Sequence, residues 1–475
     1  MRHLIKFYSL LVLIGISLNI NAQTYVSSTY LKKYTKAFFQ TNYPTLPASF
    51  EVDLYRIKYN TKNTKGENTV ASGLVCLPDV KTQGYPLLVY CHGTVGSAKD
   101  VPSYLSFENI LPSIYTSLGF ISIAPDYLGL GDNEGIHPYV HAASEASASA
   151  DMMSASLEFL NTKGYKTNKD VFLSGYSQGG HAGMALHSSL EKDSRGFTLK
   201  AAAHMSGPYS ISESMKELLL SEKEYSLPAY AANVSLSYNL VYNIFPDGDI
   251  NKFFKPTYGN MIMKYANREV DLWELNEEII DSLKKQFGKV QPKRMLQDDI
   301  LAAILNNPEH PVNLALKDND VYNFKSTIPT LLIYCTADDQ VAYTNALLAE
   351  KKLKENGSSN VKSEDVNPIA NHTECVNPAV TRSLFHFLPY INITNTNEAN
   401  LNEVTIYPNP AHDFISFKSD EEIKEIWIYD GFGKIYTYAY EKNNMLNISS
   451  LNNGLYILTV KYKNDHISHH KFIKD

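Results

Sequence analysis

The stretch Val171-Phe172-Leu173-Ser174-Gly175-Tyr176-Ser177-Gln178-Gly179-Gly180 decides how this chain is read. Val171 to Leu173 is a short apolar run of the kind that forms a buried strand, and Gly179 to Leu190 carries apolar residues at helical spacing. Between them Gly175-Tyr176-Ser177-Gln178-Gly179 fits G-x-S-x-G. A strand that turns at once into a helix needs small residues at 175 and 179, so that neighbouring backbone can approach. It then lifts the serine hydroxyl to the C-terminal edge of a sheet, over a helix N-terminus. With 24 glycines in 475 residues, chance would supply roughly 0.1 such pentapeptides. The flanking strand and helix therefore separate Ser177, a candidate nucleophile, from the serine of a plain glycine-rich turn.

Outward from this point, strands and helices alternate. Glu51 to Tyr59, Ala71 to Leu77, Leu87 to Tyr90, Phe120 to Ala124 and Leu199 to His204 read as strands. Ser103 to Leu118 and Glu145 to Thr162 read as helices, and residues 23–50 look helical before Pro44 and Pro47. Such alternation predicts an α/β class with a mostly parallel sheet covered on both faces. It stops after Pro208. Residues 209–325 are mostly helical, clearest at Ile211 to Leu220 and Trp273 to Phe287, and predict an inserted cap. The strand pattern resumes at Thr330 to Tyr334, then come helices at Thr344 to Glu355 and Pro378 to Leu388. Residues 391–402 are polar and of low complexity, the composition of a linker. Residues 403–475 hold only short alternating strands, such as Glu425 to Tyr429 and Gly454 to Tyr462, with turns at Asp430-Gly431 and Asn453-Gly454; they predict a small β-sandwich.

Composition sets outer bounds. A formal net charge of -7 argues against a nucleic-acid partner. Arg2, His3 and Lys6, the apolar run Leu10 to Leu18, and Ala22 have the layout of a cleaved signal peptide, residues 1–22. That run is too short to span a bilayer comfortably, and no later segment is long and apolar enough to do so. Cys76, Cys91, Cys335 and Cys375 permit two disulfides in three pairings, or buried free thiols at Cys76 and Cys91, which lie in strand-like runs. No C-x-x-C spacing suggests zinc.

Over roughly 50–390 the chain resembles the α/β-hydrolase superfamily. The resemblance rests on Gly175-Tyr176-Ser177-Gln178-Gly179-Gly180, on Tyr90-Cys91-His92-Gly93-Thr94, and on Ala124-Pro125-Asp126-Tyr127-Leu128-Gly129-Leu130-Gly131. All three segments also resemble secreted lipases and their bacterial esterase relatives. The resemblance implies the α/β-hydrolase fold with an inserted helical cap, residues 23–390 in all. It also implies chemistry by a serine, a histidine and an acid in the chain order Ser, Asp, His. Asp338, in Cys335-Thr336-Ala337-Asp338-Asp339-Gln340-Val341, stands three residues before Val341 as the fold's habit requires, so Asp338 is the expected acid and Asp339 faces solvent. His372, in a loop before the last helix, is the expected base. His386 lies inside that helix, while His137, His141, His181, His187 and His204 precede the acid and read as satisfied surface or core histidines. The backbone N–H groups of Gln178 and Thr94 are the expected oxyanion donors; His92, Asp126 and its glycines are read as shaping loops. No metal or organic cofactor is required by such chemistry.

The tail resembles the C-terminal sorting domain of the type IX secretion system. The matching pieces are Tyr407-Pro408-Asn409-Pro410, Ile428-Tyr429-Asp430 with Gly431 and Gly433, Leu451-Asn452-Asn453-Gly454-Leu455-Tyr456, and Lys471-Phe472-Ile473-Lys474. This implies export through that machinery to a secreted or surface-attached state. A carbohydrate-binding module is the alternative for the tail. For the main domain the expectation is a carboxylic-ester hydrolase acting on a small-molecule or lipid ester. The alternatives are a prolyl-oligopeptidase-type serine peptidase, disfavoured by the absence of room for an N-terminal propeller in 23–50, and a non-catalytic binding module.

Overall fold

A computed structural model describes residues 24–43, 48–81, 84–391, 405–419, 422–430, 435–438, 445–463 and 467–475. The expected signal peptide, the linker after Ile391, and the turn residues Gly431 and Gly433 lie outside these. The main sheet has nine strands: β1 Tyr25–Tyr34, β2 Val52–Lys62, β3 Asn68–Pro78, β4 Gly84–Cys91, β5 Ile121–Pro125, β6 Lys166–Tyr176, β7 Thr198–Met205, β8 Thr330–Tyr334 and β9 Val361–Asp365. Their order is β1-β2-β3-β5-β4-β6-β7-β8-β9. The first three pair antiparallel and β3 meets β5 antiparallel; from β5 to β9 every pairing is parallel.

Parallel strands covered on both faces should be apolar throughout, and Leu87, Leu88, Val89, Val171, Phe172 and Leu173 are all fully buried. One face packs on the helices Ala142–Lys163 and Gln178–Lys192, through Met152, Met153, Phe159, Ala182 and Leu186. The other packs on the helices Ile110–Ser117 and His372–Phe387, through Ile114, Tyr115, Ala379 and Phe387. Between β7 and β8 the chain forms only helical elements, among them Ala229–Tyr242, Pro256–Ala266, Leu272–Phe287, Asp298–Asn306 and Pro311–Asp318. They share an apolar core of their own, into which the main domain sends Tyr139, Val140 and Val341.

Three expectations need correction, and one strand is additional to them. Residues 23–50 are not mainly helical: Tyr25–Tyr34 is the edge strand β1, and only Lys36–Asn42 is a helix there. Ser103 to Leu118 is two single turns followed by the helix Ile110–Ser117, because Leu105 takes φ 61° and the Ser106 hydroxyl accepts the Glu108 N–H. β9, over Val361–Asp365, is a short edge strand outside the alternation described above. The closing helix starts at His372 rather than Pro378. Asn371 and Glu374 cap it reciprocally, which outweighs the proline's usual place in a first turn.

The C-terminal residues form two antiparallel sheets. One contains β10 Thr405–Tyr407, β11 Phe414–Lys418 and β14 Met445–Asn447; the other contains β12 Ile423–Asp430, β13 Ile435–Tyr438, β15 Gly454–Tyr462 and β16 Ile467–Lys474. Alternate residues Tyr456, Leu458, Val460 and Tyr462 of β15 meet Ile415, Phe417 and Leu446 of the opposite sheet in one core, the packing of a small sandwich.

Candidate active site

Ser177 sits between β6 and the helix Gln178–Lys192 with φ 59° and ψ -124°, a conformation costly for a non-glycine residue. Backbone closing around it holds the strain. The Ser177 N–H donates to the Met205 carbonyl at 3.0 Å, and its carbonyl accepts the Gly180 N–H at 2.8 Å. The flanking glycines have no alternative. A Cβ on Gly179 would lie 1.9 Å from the Cys91 carbonyl oxygen, and one on Gly175 would lie 2.1 Å from the Gly179 carbonyl oxygen. The sharp turn expected from the motif is therefore present, at the C-terminal edge of the sheet.

Two further segments converge on it. Asp338 follows β8, and its side chain is 1% exposed. One carboxylate oxygen accepts the Gln340 and Val341 N–H groups at 3.0 and 2.8 Å; the other lies 2.7 Å from His372 Nδ1. The Asp-x-x-Val spacing thus makes a turn that aims the carboxylate. Asp339 is exposed as expected, yet its carboxylate also accepts the His372 backbone N–H at 3.1 Å. Tyr176, the residue before Ser177, donates its hydroxyl to the His372 carbonyl at 2.5 Å, and the two rings lie 5.0 Å apart. Of the three pairings left open for the cysteines, the structure contains Cys335–Cys375. It joins the residue three before Asp338 to the residue three after His372. Cys76 and Cys91 are free and buried, and burial pushes both thiols up to about 12.

The loop after β4 runs beside the serine: a Cβ on Gly93 would lie 3.8 Å from the Ser177 Cβ. Thr94 Oγ1 is 2.8 Å from the Tyr139 hydroxyl. His92 is wholly buried between the Gly93 and Asp126 carbonyls and against the Tyr127 ring, and burial pushes it down to about 4. Asp126 accepts from the Ser72 and Ser103 hydroxyls at 2.6 Å; burial pushes it up to about 6. Both match the loop-shaping part expected of them. Glu108, beside Gly93, is pushed up to about 7 by burial.

Two cavities lie in this part of the molecule, and the first reaches the serine turn at Thr94 and Gln178. One, of about 360 Å³, is lined by Thr94, Lys99, His137, Gln178, Asn233 and Arg268 among others. The other, of about 110 Å³, lies within the helical insertion and is lined chiefly by apolar groups such as Met215, Leu219, Val234, Phe253 and Leu316, with Tyr139 common to both. Tyr225 and Tyr230 of its wall donate to Gln340, two residues after Asp338. What motif reading missed is a buried polar group behind the elbow: Glu145, 1% exposed, joined to Gln178 and His181. Its only signal in the sequence is a lone carboxylate within the small-residue run Ala142 to Ala150.

Comparison with solved structures gives the fold its name. The chain superposes on a protein from Legionella pneumophila described as a hydrolase, with a TM-score of 0.67 and 26% identity, covering 79% of this chain and 100% of that one. The rice cell wall degrading esterase LipA from Xanthomonas oryzae follows at 0.66 and 26%, covering 77% and 95%. Candida antarctica lipase A shares the fold at 0.56 and 17%, covering 78% and 83%. The main domain has the α/β-hydrolase fold. Residues 405–475 match the family described as a secretion system C-terminal sorting domain. No curated protein sequence matches the chain. The fold likeness and the sorting tail together support a secreted or cell-surface hydrolase. Among the described residues no helix is long and apolar enough to cross a membrane.

Proposed function

We propose that the protein is a serine carboxylic-ester hydrolase with Ser177 as nucleophile, His372 as general base and Asp338 as the acid that orients the base. The observation that carries this is the 2.7 Å contact between His372 Nδ1 and Asp338, on a histidine tied through Tyr176 to the serine turn. A carboxylate at Nδ1 keeps the proton on that nitrogen and leaves Nε2 to accept the serine proton. Ser177 Oγ then attacks the ester carbonyl, and the tetrahedral oxyanion is held by the N–H groups of Gln178 and Thr94. His372 returns its proton to the departing alcohol. A water activated by the same histidine hydrolyses the acyl-enzyme. Strain at Ser177 is consistent with a preorganised nucleophile. The apolar cavity suits an acyl chain, and the likeness to esterase and lipase structures favours ester over amide bonds. Residues 1–22 would direct export to the periplasm, and the tail would engage the type IX machinery beyond it.

The test is hydrolysis of p-nitrophenyl esters from acetate to palmitate by the mature chain and its Ser177→Ala variant. Hydrolysis lost in the variant is the expected result, and the chain-length optimum then separates esterase from lipase. Equal rates in the two proteins, or cleavage of prolyl amides in place of esters, would overturn the assignment.

A further inference from the structure

Gln178 is placed in the mechanism only through its backbone N–H, yet its side chain is buried and held on two sides. It is 1% exposed, and its amide nitrogen lies 2.8 Å from both Glu145 Oε1 and His137 Nε2. Donor and acceptor chemistry settles the roles around the amide nitrogen. His137 Nδ1 faces the Leu128 carbonyl at 2.8 Å, so it carries the ring proton, and Nε2 is left as an acceptor. Burial lowers the proton affinity of His137, which keeps the ring in that neutral form. The amide nitrogen therefore uses both of its hydrogens, one on each side. The other Glu145 oxygen pairs with His181 Nδ1 at 2.8 Å, and His181 Nε2 donates to the Asn319 carbonyl at 3.0 Å. Asn319 in turn accepts the Ala142 N–H and donates to the Tyr242 hydroxyl in the helical insertion.

Resting on the ester-hydrolase reading, we infer that Glu145 and His137 are positioning residues that clamp the Gln178 side chain and so aim its N–H at the oxyanion. Gln178 is the first residue of its helix, where the N–H has no intrahelical partner. Within the turn, the peptide that carries the donor is held by the Gly180 N–H on the Ser177 carbonyl, so any hold from outside the turn must come through the Gln178 side chain. A buried amide with both hydrogens fixed, on helix Ala142–Lys163 at one side and on the loop after β5 at the other, supplies that hold. Oxyanion donors act on the transition state and hardly on the bound ester. Loss of the clamp therefore lowers kcat and leaves KM nearly alone.

The experiment measures kcat and KM on p-nitrophenyl butyrate for Gln178→Met, Glu145→Ala and Glu145→Gln. Active sites are counted by the end point of titration with a p-nitrophenyl phosphonate. Gln178→Met keeps an unbranched chain of similar length without the amide. Together with Glu145→Ala it should lower kcat per site by roughly 10- to 100-fold, with KM within about 2-fold. Glu145→Gln still offers an oxygen to Gln178 and an N–H to His181 Nδ1, so it should return to within about 3-fold of the wild type. If Glu145→Ala does not fold, Gln178→Met decides. Wild-type kcat per site in Gln178→Met, a loss expressed only in KM, or a Glu145→Gln variant as slow as Glu145→Ala would each overturn the clamp. Hydrolysis that does not depend on Ser177 would overturn the ester-hydrolase reading beneath it, and is recognised by equal rates in the wild type and Ser177→Ala.

Discussion

The two cores of this protein differ in what they bury. At the C-terminal edge of the nine-stranded sheet, His92, Asp126, Glu145, Gln178, His181 and His372 all lie below a tenth of full exposure. In the C-terminal sandwich the buried residues are aliphatic and aromatic, with Thr459 and Lys474 as the polar exceptions among the described residues. Buried ionisable groups cost free energy unless they are partnered, so a fold that gathers them at one edge is stabilised there by their mutual hydrogen bonds. That edge is where chemistry is expected. The sandwich has the economy of a module whose work is done at its surface, which suits a sorting tail.

The sharpest way to break the contrast is at the two adjacent carboxylates. Asp338→Asn keeps the turn hydrogen bonds but allows the wrong His372 tautomer. It should lower kcat by roughly 10³- to 10⁴-fold in steady-state ester hydrolysis. Asp339→Asn still accepts the His372 N–H and should stay within about 3-fold. Equal losses at both positions would remove the distinction between them.

A smaller effect is expected at the disulfide. Cys335–Cys375 closes 40 residues and holds the Asp338 loop against the His372 helix. Replacing both cysteines by serine should cost about 2–4 kcal/mol in urea unfolding. Activity should fall earlier in urea than sheet circular dichroism does, because the acid and the base are the segments released. Coincident loss would mean that the bridge only supports global stability. The smallest effect belongs to the sandwich. Removing 403–475 should change kcat of the purified enzyme by less than about 2-fold while abolishing export. A large fall in kcat would assign the tail a catalytic or substrate-binding part.

How much of this was legible from sequence depended on how local each feature is. The serine turn was readable because Gly175 and Gly179 are demanded by contacts made within a few residues or with the adjacent strand. The resemblance singles out Asp338 and His372, and the structure brings their side chains to 2.7 Å. The β1 strand was not, because it is an edge strand with both faces largely exposed and so lacks alternation. The start of the last helix is ambiguous in the sequence, because Pro378 suits a first turn while Asn371 and Glu374 form a cap upstream of it. The Gln178 clamp could not be read at all. Glu145 lies 33 residues before Gln178, and only the packing of two helices brings them together.

The central claim, that Ser177 is an activated nucleophile, is tested most directly by trapping it. The folded protein is treated with a fluorophosphonate and digested, and the modified peptide is identified by mass spectrometry. A single phosphonyl group on Ser177, absent from Ser177→Ala and slowed in Asp338→Asn, is the predicted result. No adduct on the folded wild type, or an adduct that persists in Ser177→Ala, would contradict the account.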